Sequence, residues 1–538
     1  MAASEWSIPM EAIKHYKAYK PRPLNPEEDR KITVLYGGLT WKHERLVQGA
    51  FHNLDYQAEP LPNISRADLD AGKEMIDSGA CCPTVFTTGN LVNLLKTKSV
   101  ELGKETVANQ YAFLTVGACG PCRFGQYHES YAMALKGLGL EDFRLFLLSQ
   151  NRVDQGAENQ GGFNISFPLT TGIIWAILCG DILTDMEYMT RPYEVFPGKT
   201  EEVLKESVEY LYQVFKHRPV KGKKWGVLAW HLLSDYFTSA LREVKKKWET
   251  IQVDRLQVKP KVKVTGEFWL QTHEGEGNYN IKRWLEQEGA EVIPPPIAVW
   301  LDYLVESRRV GFEDRRGLDR NLAPKIAAAR FGQRLFHRTY NPMRRAMGYI
   351  PNELPDQKEL RELATPYYHY KLRGGEGHML VGKALYAHHH RKAHMICELS
   401  PYSCMPNTMS IGAMAKVTGD FPDLLYAPIE MKGDAEAHAL SRCQMILTEA
   451  KKRAHQEFEE AMRKGGITVE RIRDYEAKSP EVVQSTYRIP HHGYAGTAVN
   501  YALHLHNRSR GGILRRIFGS RSAVSGVAPQ VDLTPAGR

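Results

Sequence analysis

Short β-branched runs alternate with helix-length stretches along most of this chain, and that alternation constrains the fold more than any other feature. A run at 32–36 ends in Gly37-Gly38 and precedes a helical stretch at 43–54. A second helix is expected at 83–95, with Pro83 in the first turn, where a missing N–H leaves no bond unmade. Runs at 111–116 and 143–149 bracket a helix at 127–138. Strands and helices alternating this closely predict a parallel sheet covered on both faces. After a charged, helical stretch at 200–258 the pattern resumes, with strands expected within 261–270 and at 292–294, 394–399 and 424–429. Leu447, Ala450, Ala454, Phe458 and Ala461 then recur at three and four, giving a helix that stops at Gly465-Gly466.

The expected fold class is α/β: two doubly wound, Rossmann-like lobes facing a cleft, with a helical connector and a C-terminal helical extension. The expected boundaries are an N-terminal extension at 1–30, a first lobe at 31–200, the connector at 201–260, a second lobe at 261–465 and the C-terminal extension at 466–538. The end of that extension is basic and expected to be disordered.

Composition narrows the class. At 538 residues, 43% hydrophobic and 25% charged, the chain is neither collagen-like nor low-complexity nor wholly disordered. The start has no apolar core behind a basic segment, so no secretory leader is expected. The longest apolar stretch, 172–183, is expected to be too short to span a bilayer and contains Asp181. A cytoplasmic protein with no transmembrane segment is the expectation. The net charge of +9 is mild, and the arginines gathered near the C-terminus, among them Arg508, Arg510, Arg515, Arg516 and Arg521, read first as a solvated tail. There is no RNP, zinc-finger or helix-turn-helix signature, so nucleic acid is not an expected partner.

The cysteines say more. Structural disulfides are rare in the cytosol, so eight cysteines call for thiolate chemistry or burial. Cys179 and Cys443 fall in apolar patterns and read as inert core thiols. The other six form three close pairs: Cys81 with Cys82, Cys119 with Cys122, and Cys397 with Cys404. Each pair lies at a strand end or a helix start, where ligands collect in open α/β sheets and where free N–H groups stabilise thiolates. Gly117, Gly120 and Gly125 let the backbone turn and approach closely, and with Gln126 they are the candidate cofactor contacts. Soft thiolate loops suit an iron–sulfur cluster or zinc; scattered core or reactive thiols are the remaining reading.

Other polar residues are candidates for catalysis. His128 follows the CxxC loop and could donate a proton over a bound cluster, though a core histidine fits the same position. Glu267 and Glu376 sit beside glycines that allow close approach to a ligand; each could equally cap a turn or helix. The run His388-His389-His390 with His394, and the pair His491-His492, read first as surface residues.

Several segments carry a family resemblance. GACGPCRFGQYH (117–128), SPYSCMPN (400–407), VTGEFWLQTHEGEGNYNIKRWLEQEGAEVIPP (264–295), GDAEAHALSRCQMIL (433–447) and GDILTDMEYMTRPYE (180–194) resemble the signatures of the 2-hydroxyacyl-CoA dehydratase superfamily. The likeness is closest to the non-ATPase portion of acyl-CoA dehydratase activase-related proteins, also called CoA-substrate-specific enzyme activases. It runs from about 32 to 450 and leaves both ends unexplained. It implies an oxygen-sensitive 4Fe–4S cluster, or a double cubane, fed with low-potential electrons by an ATP-dependent actin-like activase that carries its own iron–sulfur cluster. It further implies reduction or dehydration of a CoA thioester or small substrate, and a homodimer or pseudo-symmetric partner for the activase. The chain has no actin-like segment and no GKS or GKT P-loop, so that activase is expected on a separate chain.

The ligand set implied is Cys82, Cys119, Cys122 and Cys404, with one of the CxxC pair enough for a three-cysteine cluster. Cys81 and Cys397 join them in a double cubane. Adjacent side chains in extended backbone point apart, which argues against Cys81 and Cys82 serving one cluster together. An electron-transfer or cluster-carrying subunit without its own catalysis is the alternative function, and a zinc-stabilised binding module a third.

Overall fold

A computed structural model describes residues 30–517 apart from 78, 118–121, 150–152, 155–164, 220–223, 320 and 373. Cys119 and Gly120 therefore lie outside the described residues, as do the extension up to residue 29 and the tail from 518.

Among the described residues nine strands form two sheets, and the protein is of mixed α/β class. The first sheet runs in the order β2 (Gln57–Pro60), β1 (Thr33–Tyr36), β3 (Tyr111–Gly117), β4 (Arg144–Ser149), β5 (Val153–Asp154). Its pairs are parallel except the last, β4 with β5. The second sheet runs β7 (Glu291–Ile293), β6 (Lys261–Gly266), β8 (Met395–Pro401), β9 (Leu425–Met431) and is parallel throughout. Every residue of β8 is buried, as befits a central parallel strand covered on both faces.

The strand expected within 261–270 stops at Gly266 for a steric reason. Its φ is +129°, and a Cβ there would lie 2.1 Å from the carbonyl oxygen of Leu399 on β8. Only glycine fits that approach. The chain turns at once, and the N–H of Glu267 donates to the same carbonyl at 2.9 Å.

The apolar stretch at 172–183 proves to be the middle of a 24-residue helix, Phe167–Thr190. That corrects the expectation of insufficient length, since the helix is long and apolar enough to cross a bilayer. Most of it is buried instead within the largest hydrophobic core, where Trp175, Leu178, Ile182 and Met186 meet Leu46, Phe51 and Leu211. Asp181 is buried in the same helix. It accepts the N–H groups of Ile297 (2.8 Å) and Ala298 (2.7 Å) and faces His43 Nε2 at 3.2 Å. Those two amides open the helix Ile297–Asp314, so the carboxylate serves as its N-terminal counter-charge.

The segment expected as a connector is helical, and it also builds the core. Val203, Leu204, Val208 and Phe215 of the helix Lys199–Lys216 pack with Val34 and Phe51 of the first lobe. The C-terminal extension is likewise structured through most of its described length. Ile472, Val482, Tyr501 and Leu505 form a core with Leu256 and Met462. The buried guanidinium of Arg255 donates to the carbonyls of Gln484 and Ser485.

Buried charges tie the lobes together. Lys42, fully buried on the helix Trp41–His52, lies 2.6 Å from Glu187 on the 167–190 helix and 2.6 Å from Glu274 of the second lobe. The two carboxylates outweigh the burial that would pull its pKa down, and hold the ammonium above its ordinary value. Arg191 bonds to Glu187 and reaches Glu286 of the second lobe at 2.7 Å.

Candidate functional site

Four of the candidate side chains stand at the starts of helical segments. Cys81 is the N-cap of the helix Cys82–Leu102, and Cys122 that of the short 3-10 turn Arg123–Gln126 following β3. Cys404 caps the helix Met405–Asp420 after β8, and Glu267 caps the short helix Phe268–Thr272 after β6. Three of the four therefore sit just past the carboxyl ends of parallel strands.

The charges of these groups bear on one another. Burial pushes the Cys122 thiol up to about 11, the N–H of Phe124 opposes that, and the charges of Glu267, Cys81 and Glu376 add to it. Burial also raises Cys404 strongly, with the N–H of Asn407 opposing and Glu267, Cys122 and Cys81 adding. Three thiols from three segments thus lie within reach of one another's charge, with a carboxyl group among them.

Cys81 is held in position by hydroxyls: its Sγ lies 3.0 Å from the Tyr127 phenol oxygen and 3.1 Å from Thr84 Oγ1. Cys82 packs in a core with Leu69, Val85, Phe86 and Trp269; burial pushes its thiol up to about 12, and the charges of Cys81 and Glu267 add to the rise. Of the adjacent pair, Cys81 is the one whose charge acts on both Cys122 and Cys404.

Cys397, expected as a further ligand, sits in the middle of β8. The sheet continues to Pro401 and the thiol is fully buried, sharing a sulfur hydrogen bond with Cys443 of the helix Glu436–Gly465. Cys179 is also fully buried, in the 167–190 helix.

The charges of both carboxyl candidates act on Cys122. Glu267 accepts the N–H of Leu270 at 2.9 Å, and burial pushes its carboxyl up to about 7. Glu376 lies in a glycine-rich turn pressed onto the start of the Cys404 helix, for a Cβ on Gly375 would meet Pro406 at 3.0 Å. Its Oε1 accepts from Gln271 Nε2 at 2.9 Å, whereas its Oε2 has no hydrogen-bond partner among the described residues and stands 4.0 Å from Lys383 Nζ. Burial raises the Glu376 carboxyl against the pull of Lys383, and the charge of Glu267 adds to the rise.

The remaining candidates do other work. His128 is partly exposed, with Nε2 3.2 Å from Glu129, and its charge is not among those that shift the thiols. Gly117 ends β3, where a Cβ would strike Leu147 at 2.7 Å, a packing requirement. Gly125 and Gln126 lie in the turn after Cys122, Gln126 being exposed. His388 and His389 pack on Phe421, and His394 accepts the N–H of Lys261 at 2.9 Å.

Sequence reasoning passed over the groups that orient the site. Glu398, buried on β8, accepts from Asn407 Nδ2, Ser410 Oγ and Tyr426 OH. Asn407 in turn accepts from the Cys404 thiol at 3.2 Å, so this network fixes the start of the Cys404 helix. The one available signal was a lone carboxylate inside the apolar run HMICEL. Tyr127 and Gln271 fall inside GACGPCRFGQYH and VTGEFWLQTH, where nothing in the residue pattern marks them.

The donor set suits a soft metal centre. Three buried or half-buried thiols meet two backbone N–H donors to sulfur, in a setting that tunes iron–sulfur clusters. Among the described residues no three His, Cys, Asp or Glu side chains are close enough to hold a single metal ion. Sulfurs around one tetrahedral zinc lie roughly 3.8 Å apart, from a Zn–S bond of about 2.3 Å. A cluster of several irons takes ligands set more widely. Compared with protein-family models, curated proteins and solved structures, the chain matches none.

Proposed function

We propose that this is an iron–sulfur protein in which Cys81, Cys122 and Cys404, with Cys119 of the same CxxC motif, hold a 4Fe–4S cluster between the two lobes. It would take low-potential electrons from an ATP-dependent activase on another chain, to reduce or dehydrate a CoA thioester or small substrate. The observation that carries this reading is that Cys81, Cys122 and Cys404 stand at the N-termini of three separate helical segments, with the charge of Cys81 acting on both of the others. The strand orders β2-β1-β3-β4 and β7-β6-β8-β9 support taking each lobe as doubly wound, with ligands outside the carboxyl ends of the strands.

A bound cluster would supply one-electron transfer. The chain's own residues have separable tasks. The N–H groups of Phe124 and Asn407 donate toward sulfur, and Tyr127 lends its hydroxyl to Cys81. Glu267, raised to about 7, holds a proton near neutral pH beside the thiols and is the better placed acid of the two carboxyl groups. Glu376 is positioned by Gln271 and balanced by Lys383.

The deciding experiment is purification of the full chain without oxygen, followed by iron, acid-labile sulfide and zinc analysis and EPR after reduction. About four irons per chain are expected. Zinc without iron, in protein never exposed to air, overturns the proposal.

A further inference from the structure

A cavity of about 400 Å³ opens in the second lobe, walled by β6, the Pro294-Pro295-Pro296 turn, the helix Met379–His389 and the 485–500 segment. Its polar side is conspicuously cationic. Lys261 is paired with Glu291 at 3.0 Å and Arg344 with Glu353 at 3.1 Å, and Lys383 stands 4.0 Å from Glu376. Lys263, Lys392 and Arg488 have no carboxylate at ion-pair distance among the described residues. Lys263 donates to the Pro294 carbonyl at 3.2 Å, Lys392 to the Tyr386 hydroxyl at 3.0 Å, and Arg488 lies over the Tyr349 ring.

Like charges brought together behind a partly dry wall are unfavourable unless a counter-charge joins them. Burial and then the charge of Lys383 push the Lys263 ammonium down to about 7, Asp185 opposing and Lys392 adding, so the three lysines feel one another. The opposite wall is apolar and aromatic, with the Phe268 and Trp300 rings 4.7 Å apart. A cavity of this size with a few convergent polar groups is the ordinary form of a small-molecule site.

We infer that this cavity binds a small organic oxyanion, a carboxylate or phosphate on an apolar body, with Lys263, Lys383 and Lys392 facing the anion and Phe268 and Trp300 facing the body. The assignment stands whatever the cysteines hold. The volume is too small to enclose a whole CoA. Contact with the thiol site runs through Glu376, which lines the cavity, and through Gln271, which accepts from Lys383 at 3.3 Å and donates to Glu376.

The test is calorimetric titration of the full chain, purified without oxygen, with benzoate, phenyl phosphate and neutral benzamide. At least one anion is expected to bind with one-to-one stoichiometry and roughly tenfold or more tighter than benzamide, a difference of about 1.4 kcal/mol. Whichever anion binds tighter identifies the oxyanion class. Lys263→Met and Lys392→Met should each weaken that anion severalfold, while Lys416→Met on the surface should not. Should Lys263→Met lose its circular-dichroism signature, the half-exposed Lys392 and the Arg488→Gln variant decide. Anions binding no tighter than benzamide, unchanged affinity in those variants, or displacement of the anion by CoA would overturn the assignment.

Discussion

The phenolic oxygen of Tyr127 lies 3.0 Å from the sulfur of Cys81, and the same thiol meets Thr84 Oγ1. If Cys81 is a cluster ligand, Tyr127→Phe removes one hydrogen bond to a ligating sulfur and lowers the reduction potential. Iron content should stay unchanged, and stability should fall by about 1 kcal/mol. Redox titration followed by EPR, beside an iron assay, checks it; an unchanged potential would place the phenol outside the cluster's influence.

The adjacent cysteines should separate cleanly. Cys81→Ser, Cys122→Ser and Cys404→Ser are expected to lose iron, whereas Cys82→Ser keeps it, because Cys81 is the one of the pair whose charge acts on both other thiols. Cys397→Ser should also keep iron and lose stability instead, since it places a hydroxyl in a fully buried position beside Cys443. Iron and sulfide per folded chain, with urea melts in parallel, distinguish the two outcomes.

Lys42 is the fully buried ammonium between Glu187 and Glu274. Lys42→Met should destabilise the protein by roughly 3–5 kcal/mol, because buried Glu274 loses its ion-pair cation and Glu187 keeps only Arg191. The double variant Lys42→Met/Glu274→Gln should recover part of that loss. A double variant no better than the single would show that packing, rather than charge, carries the effect.

Asp181→Ala should cost roughly 3 kcal/mol or more in urea unfolding, since two backbone N–H groups lose a charged acceptor. A loss under 1 kcal/mol would mean that water replaces the carboxylate.

Acid should destabilise the fold well above the carboxylate range. His231 is buried, with Nδ1 on the Val227 carbonyl and Nε2 facing Arg218 at 3.2 Å. Burial lowers its pKa to about 4, with the charge of Arg218 adding. The unfolded chain takes up this proton near pH 6.5 and the folded one does not. Stability contributed by the neutral ring is therefore whole above 6.5 and is lost as pH falls toward 4, about 3 kcal/mol in all. His231→Phe should be less stable at pH 7 yet show a shallower slope between pH 6.5 and 4 in urea melts. An unchanged slope would assign the acid sensitivity to other groups.

Much of the sheet was legible from residues whose side chains state their preference. TVLY, YAFLTVG and RLFLLS are β-branched or aromatic runs, and each forms a strand close to its expected bounds. QAEP forms an edge strand with none of that signal, because pairing with β1 supplies what propensity does not. Adjacency told that Cys81 and Cys82 diverge; which one faces the other thiols depends on the helix start and on Tyr127. Cys397 read as closing its strand, but β8 runs four residues farther and places the thiol inside the sheet. Lys263, Lys383 and Lys392 lie up to 129 residues apart, so no local pattern could show that they share one cavity.

Through Asp181, Asp185 and Glu187 the 167–190 helix is bonded to Ile297 and Ala298, to Asn352, and to the ammonium that also holds Glu274. One helix is therefore tied at several depths to the segments that surround the second sheet. If the thiols hold a cluster, it finds Cys81, Cys122 and Cys404 already in folded segments, without recruiting them from an unfolded chain. Loading should then change the heat capacity little, and the metal-free protein should melt in one cooperative transition, unlike small domains that fold only around their metal.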